Sequence, residues 1–148
     1  MNLISRFLRP VHTAHAHCDG PCGVYDPAAA RISAEAVLSM EKKIAALGDA
    51  NDAATTNTRT RFIAIKEQQA DLTKKELNIL WHDYFKPEHL EKYPDLHTTF
   101  WNAAKLCSKN KTEQDAANGE ALLATIEKIH NIFWATKNRE VAFYRANP

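Results

Sequence analysis

Glycine is scarce here, with 4 residues in 148. Clusters of β-branched residues are few as well. Together these shortages argue against an architecture of strands and tight turns. Alanine, leucine, glutamate and lysine dominate instead, which favours helices. No apolar run approaches the roughly 18 residues a membrane-spanning helix needs, so no membrane partner is expected. Neither charge is in excess: 19 basic residues face 18 acidic ones. That balance gives no electrostatic footprint for nucleic acid. Cysteine is limited to three residues, an odd number. A disulfide framework in a small secreted protein normally has more, and an even count. What remains is ordinary for a soluble globular chain, 45% hydrophobic and 25% charged. The length suits one domain with a real core.

The first sixteen residues, "MNLISRFLRPVHTAHA", contain no acid at all. Ala14-His15-Ala16 has the small-x-small form of an export cleavage site, but the apolar stretch before it is short and broken by Arg6. Residues 1–16 are therefore expected to be a pro-segment removed inside the cell, leaving a cytoplasmic domain of residues 17–148. Export and a tail that stays attached are the alternatives. Removal takes two arginines with it and leaves 17 basic against 18 acidic residues, a formal charge of −1.

Four helical stretches follow. The first runs from about Pro27 to Leu47, with Asp26 as N-cap, Pro27 at the first helical position and Gly48 as the stop. Its stripe is Ser33, Val37, Met40, Ile44 and Leu47. The second spans roughly Thr58 to Phe85, with the stripe Phe62, Ile65, Gln69 and Leu72, then Leu77, Leu80, Trp81 and Tyr84. The third begins near Pro94 and carries Leu96, Phe100, Ala103 and Cys107. The fourth, from about Asp115 to Tyr144, carries Leu122, Ile126, Ile129 and Phe133. Short connections between long helices make antiparallel neighbours, so an all-α, up-down four-helix bundle is expected. Cys107 reads as a buried structural thiol. His82, His89, His97 and His130 read as structural or surface residues, since none shows Glu-x-x-His spacing. Ser33 and Gln69 break their stripes. They either face the loop before the first helix or are simply hydrogen-bonded polar groups.

That loop, "HAHCDGPCGVYD" at 15–26, concentrates the chemistry. Cys18 and Cys22 could form a local disulfide, a metal-free thiol redox pair or a metal site. If the chain is cut before His17, the new amine and the amide nitrogen of Cys18 close a five-membered chelate. The Cys18 sulfur closes a second. Asp19-Gly20-Pro21 turns the chain to bring the Cys22 sulfur to the fourth corner, and the His17 imidazole can reach an axial position. A flat set of two nitrogens and two sulfurs suits Ni(II) or Cu(II) and suits tetrahedral zinc poorly. Such strong anionic donors also make a trivalent metal accessible, which points to redox work.

The segment "HCDGPCGVYDP" at 17–27 resembles the hook H-C-x-x-P-C-G-x-Y of the nickel superoxide dismutases. "AIKEQ" (64–68), "LWHDYFKPEHLEKYPDLH" (80–97) and "KIHNIFWATK" (128–137) are similar to later segments of that family, and Gly20 with "AEAVLSM" (34–40) is most similar to its marine bacterial and cyanobacterial members. The resemblance implies an enzyme that disproportionates superoxide with one nickel ion per subunit, assembled as a homohexamer. It implies a protease that cuts before His17. His17, Cys18 and Cys22 would be the metal ligands, with Tyr25 over the open face of the metal. Asp19 and Pro21 would hold the hook, Tyr84 would support Tyr25, and Lys86 would lie near the entrance. Ser33 and Gln69 stand where better-known members have a glutamate and an arginine that orient the imidazole, so neutral groups replace a charged pair. A nickel or copper carrier using the same hook without catalysis is the alternative.

Overall fold

A computed structural model describes residues 22–146. The hook residues His17, Cys18, Asp19 and Pro21 lie outside the described residues, as does the proposed cut before His17.

Helix α1 spans Ala28–Ala46. Its start follows the sequence. Asp26 Oδ1 accepts the Ala28 N–H at 2.8 Å, Pro27 already has helical φ, and its carbonyl takes the Arg31 N–H at 3.1 Å. Gly48, at φ +56°, closes the far end in the left-handed region. The expected stripe is buried at Ser33, Val37, Met40 and Ile44. Ala30, Ala34, Leu38 and Glu41 are buried beside it, because α1 packs against two neighbours at once.

Helix α2 spans Ala53–Ile79 and continues through one π turn, Leu80–Tyr84. It begins five residues before the expected Thr58. Asp52 is the N-cap, its Oδ1 accepting the N–H groups of Ala54 and Thr55 at 3.0 Å. Those bonds, with the Thr55 hydroxyl, hold its carboxyl below the usual range. Asparagine and threonine after the cap disguised the first turn as loop. The buried face of α2 differs from expectation over its first half, where it is Lys66, Ala70 and Thr73 while Ile63, Ile65 and Leu72 face outward; Leu77 and Leu80 are buried as expected. Two polar members of that face are held by specific bonds, Lys66 Nζ to the Glu113 carbonyl at 2.5 Å and Thr73 Oγ1 to Ser33 Oγ at 2.9 Å. Hydrophobicity alone could not mark such a face.

In the π turn the Phe85 N–H reaches the Leu80 carbonyl at 3.1 Å. Pro87 then forces Lys86 into extended backbone. A short helix, α3 (Pro87–Lys92), occupies what the sequence offered as a plain connection. Helix α4 spans Leu96–Thr112, and its stripe of Leu96, Phe100, Ala103 and Cys107 is buried as expected. Helix α5 spans Ala116–Thr136 and buries Leu122, Ile126, Ile129 and Phe133.

The last helix therefore ends eight residues short of Tyr144. Asn138 takes φ +53°. The Asn138 N–H bonds to the Ala135 carbonyl at 3.1 Å and the Arg139 N–H to the Trp134 carbonyl at 3.0 Å, the paired closure of a Schellman motif. The chain then folds back along the bundle. His130 Nε2 donates to the Val141 carbonyl at 2.8 Å, and the Ala146 N–H reaches Glu35 on α1 at 2.8 Å.

Helices α1, α2, α4 and α5 contact one another in a closed ring, each packed against two others. The fold is the antiparallel four-helix bundle that the sequence implies, with α3 as an addition. Helix α5 approaches α1 closely at Gly119, where a Cβ would lie 2.6 Å from Glu41 Oε2 and 3.1 Å from Leu38 Cβ. The start of α1, the π turn and the end of α5 meet at one end of the bundle, where Tyr25 reaches Tyr84 and Tyr84 reaches Phe133 and Thr136.

Candidate metal centre

Of the three expected ligands, Cys22 is the one among the described residues. It is a free, exposed thiol. Its sulfur accepts the Val24 N–H at 3.5 Å. Gly23 permits the turn, with φ +68° and open space where a Cβ would be, so glycine serves conformation here rather than packing. Among the described residues no group of three His, Cys, Asp or Glu side chains comes together that could hold a metal. Cys22 alone could offer a single thiolate to a metal.

Tyr25 is half-buried three residues on, its ring 5.7 Å from that of Tyr84 and tilted by 54°. Tyr84 is the last residue of the π turn and is fixed on every side. His89 stacks on it at 5.7 Å and 14°, Phe133 lies 4.5 Å away, and Phe85 meets it edge-on at 5.1 Å. Lys137 Nζ sits 5.1 Å from the centroids of both the Tyr84 and Phe133 rings, within cation–π range. The Tyr84 hydroxyl lies 2.5 Å from Thr136 Oγ1. A cleft of ≈ 190 Å³ runs beside Tyr25, lined by Val24, Asp26, Ala29, Glu76, Ile79 and Leu80.

Ser33 is buried. Its hydroxyl faces the Ala29 and Ala30 carbonyls at 3.0 and 3.1 Å and lies 2.9 Å from Thr73 Oγ1. Gln69 is half-buried, and its main-chain carbonyl lies 2.8 Å from the same Thr73 hydroxyl. Both stripe-breaking residues thus belong to one polar contact between α1 and α2, centred on Thr73. Lys86 is exposed two residues beyond Tyr84, and its N–H donates to His89 Nδ1 at 3.1 Å.

The remaining candidates fall where a structural reading puts them. Cys107 is buried, and desolvation pushes its thiol up to about 12. His82 and His97 are exposed. Thr136, Lys137 and His89 were missed as site residues. Their signal lay in the runs "WATK" and "FKPEH", whose residues carry no chemistry until three helix ends are brought together.

Comparison with known proteins agrees with this geometry. The profile of the nickel-containing superoxide dismutases matches residues 12–137. A protein named superoxide dismutase [Ni] from Streptomyces seoulensis is 47% identical over 135 residues, covering 91% of this chain and 98% of the relative. Its counterpart from Streptomyces coelicolor is 46% identical over the same length and coverage. A native nickel superoxide dismutase crystal structure superposes with a TM-score of 0.75 at 46% identity, covering 83% of this chain and all of that one. A structure with nickel ligation of the oxidised state gives 0.74 at 48%, with the same coverage.

Proposed function

The chain belongs to the nickel-containing superoxide dismutase family, and from that premise we propose that His17, Cys18 and Cys22 build its metal centre once residues 1–16 are removed. The protein is an oxidoreductase that turns two superoxide ions and two protons into dioxygen and hydrogen peroxide, with nickel as cofactor. Bound nickel supplies the one-electron couple between its divalent and trivalent states. The amine and imidazole of His17, the amide nitrogen and thiolate of Cys18 and the thiolate of Cys22 are the donors. The Val24 N–H, bonded to the Cys22 sulfur, helps place it. Asp19 and Pro21 shape the hook. Tyr25, held against Tyr84, admits small anions and hinders larger ones. Lys86 and Lys137 place positive charge where a diatomic anion approaches, which raises its encounter rate. Ser33 and Gln69 give the imidazole neutral neighbours in place of a charged pair.

A protease that cuts before His17 completes the site, because only a free amine can bind. The assembly is a homohexamer with one nickel per subunit, and the outward apolar residues Ile63, Ile65 and Leu72 of α2 supply a face for it. The compartment is the cytoplasm, where the free thiols Cys22 and Cys107 stay reduced.

One observation carries the site assignment: a free Cys22 three residues from a tyrosine fixed against Tyr84. The test uses chain trimmed to begin at His17 and loaded with nickel, copper, zinc or nothing. Superoxide removal is expected with nickel alone, and Cys22→Ser should abolish it. A fully active Cys22→Ser protein, or an active uncut chain, overturns the hook. Tight nickel binding without turnover would mark a carrier.

A further inference from the structure

The hydroxyl proton of Tyr84 has one place to go. Thr136 Oγ1 lies 2.6 Å from the Phe133 carbonyl oxygen, which can only accept. A threonine hydroxyl has a single proton, so that bond uses it. The contact between Thr136 Oγ1 and the Tyr84 hydroxyl at 2.5 Å must then be made with the phenol proton. The order is Tyr84 O–H to Thr136 Oγ1–H to the Phe133 carbonyl. The end of α5 explains why that carbonyl takes a side chain. The Schellman turn occupies the carbonyls of Trp134 and Ala135, while Phe133 sits one position earlier in the last turn, where carbonyls lose their helical partners.

We propose that Thr136 is a positioning residue for superoxide turnover: by taking the Tyr84 hydroxyl proton it fixes the phenol whose ring lies against Tyr25. The inference rests on the hook reading given above. The ring cannot easily swing away, since His89, Phe133 and Lys137 hold it. A carbonyl has no proton to return, so the line through Thr136 is a dead end. It does not resupply the two protons that peroxide formation consumes. Tyr84 therefore contributes by holding its ring against Tyr25 rather than by giving up a proton. Lys137 adds a cation above the same ring and reinforces its placement.

The Raman Fermi doublet of tyrosine reports whether a phenol donates or accepts, and a difference spectrum against Tyr84→Phe isolates Tyr84 in the full chain. Wild type and Thr136→Ser should give a donor signature, and Thr136→Val should lose it. In nickel-loaded chain beginning at His17, Thr136→Val should turn over about 2- to 10-fold more slowly, the worth of one hydrogen bond. Its pH–rate profile should shift, while Thr136→Ser recovers the wild-type profile. Thr136→Ala serves the same purpose if the valine variant fails to fold. An acceptor signature in wild type overturns the proposal. So does a folded Thr136→Val or Thr136→Ala protein with the wild-type rate and profile. If the nickel-loaded wild-type chain is inactive, the hook reading and the turnover role both fall, and the Raman signature still decides the direction of the Tyr84 bond.

Discussion

Replacing Glu41 with glutamine should stabilise the protein at alkaline pH relative to its effect at acid pH. Glu41 projects from α1 toward α5 and is 1% exposed. Neither carboxyl oxygen has a hydrogen-bond partner among the described residues. Burial is the main reason its pKa is pushed up to about 7. Lys66 on α2 opposes the shift and Asp115 at the start of α5 adds to it. The Gly119 N–H opposes it weakly from a position short of hydrogen-bond geometry.

A carboxyl whose pKa is raised on folding binds its proton more tightly in the native state than in the unfolded one. Stability is then highest below the unfolded value of 4.5, falls as pH rises toward about 7, and levels off above that. A gap of that size corresponds to about 3 kcal/mol of stability lost across the window. Glutamine keeps the shape and cannot ionise, so it removes the slope. The measurement is urea unfolding of the full chain, followed by helical circular dichroism at one protein concentration. The stability difference between Glu41→Gln and wild type should grow by about 2.5 kcal/mol between about pH 5 and about pH 8.5. Any constant offset from the amide cancels in that comparison. A difference that stays flat, or shrinks as pH rises, would refute the idea of an unpaired buried carboxyl.

Gly119→Ala should lower stability although alanine favours helix. The new Cβ meets Glu41 and Leu38 at 2.6 to 3.1 Å; overpacking costs about 1–3 kcal/mol, and the helix preference returns up to about 1 kcal/mol. A lower melting temperature is expected, and a raised one would mean that α1 and α5 can separate freely. Ile65→Lys, on the outward face of α2, should change the stability of an isolated subunit by no more than about 0.5 kcal/mol. In sedimentation it should reduce the assembled mass if that face joins subunits, and an unchanged mass would remove α2 from the interface.

Most of the fold was legible because α1, α4 and α5 follow a simple rule, with an apolar stripe facing the core. Leu96, Phe100, Ala103 and Cys107 are buried as their spacing requires. Helix α2 defied the rule because its inner face is partly polar. Lys66 and Thr73 are buried through bonds to Glu113 and Ser33, partners 47 and 40 residues away that no local window contains. The end of α5 was legible in principle: Asn138 is the kind of residue that tolerates positive φ. The apolar Val141 and Phe143 beyond it looked like more helix. They pack as a returning strap, with Phe143 edge-on to His130 at 5.3 Å.

The site divides along the same line. The proposed chelate is made of nearly adjacent residues, written in a few consecutive letters, so it can be proposed without a fold. What fixes Tyr25 is not written that way. Tyr84 comes from a π turn, Thr136 and Lys137 from the last turn of α5, and His89 from a six-residue helix. Each is unremarkable alone. The π turn matters because it brings the Tyr84 ring against Tyr25 and its hydroxyl against Thr136 at once. On the proposed reading the hook sets which metal chemistry is possible, while three helix ends fix how Tyr25 and Tyr84 meet each other. A hook transplanted onto another bundle would retain the first property and lose the second.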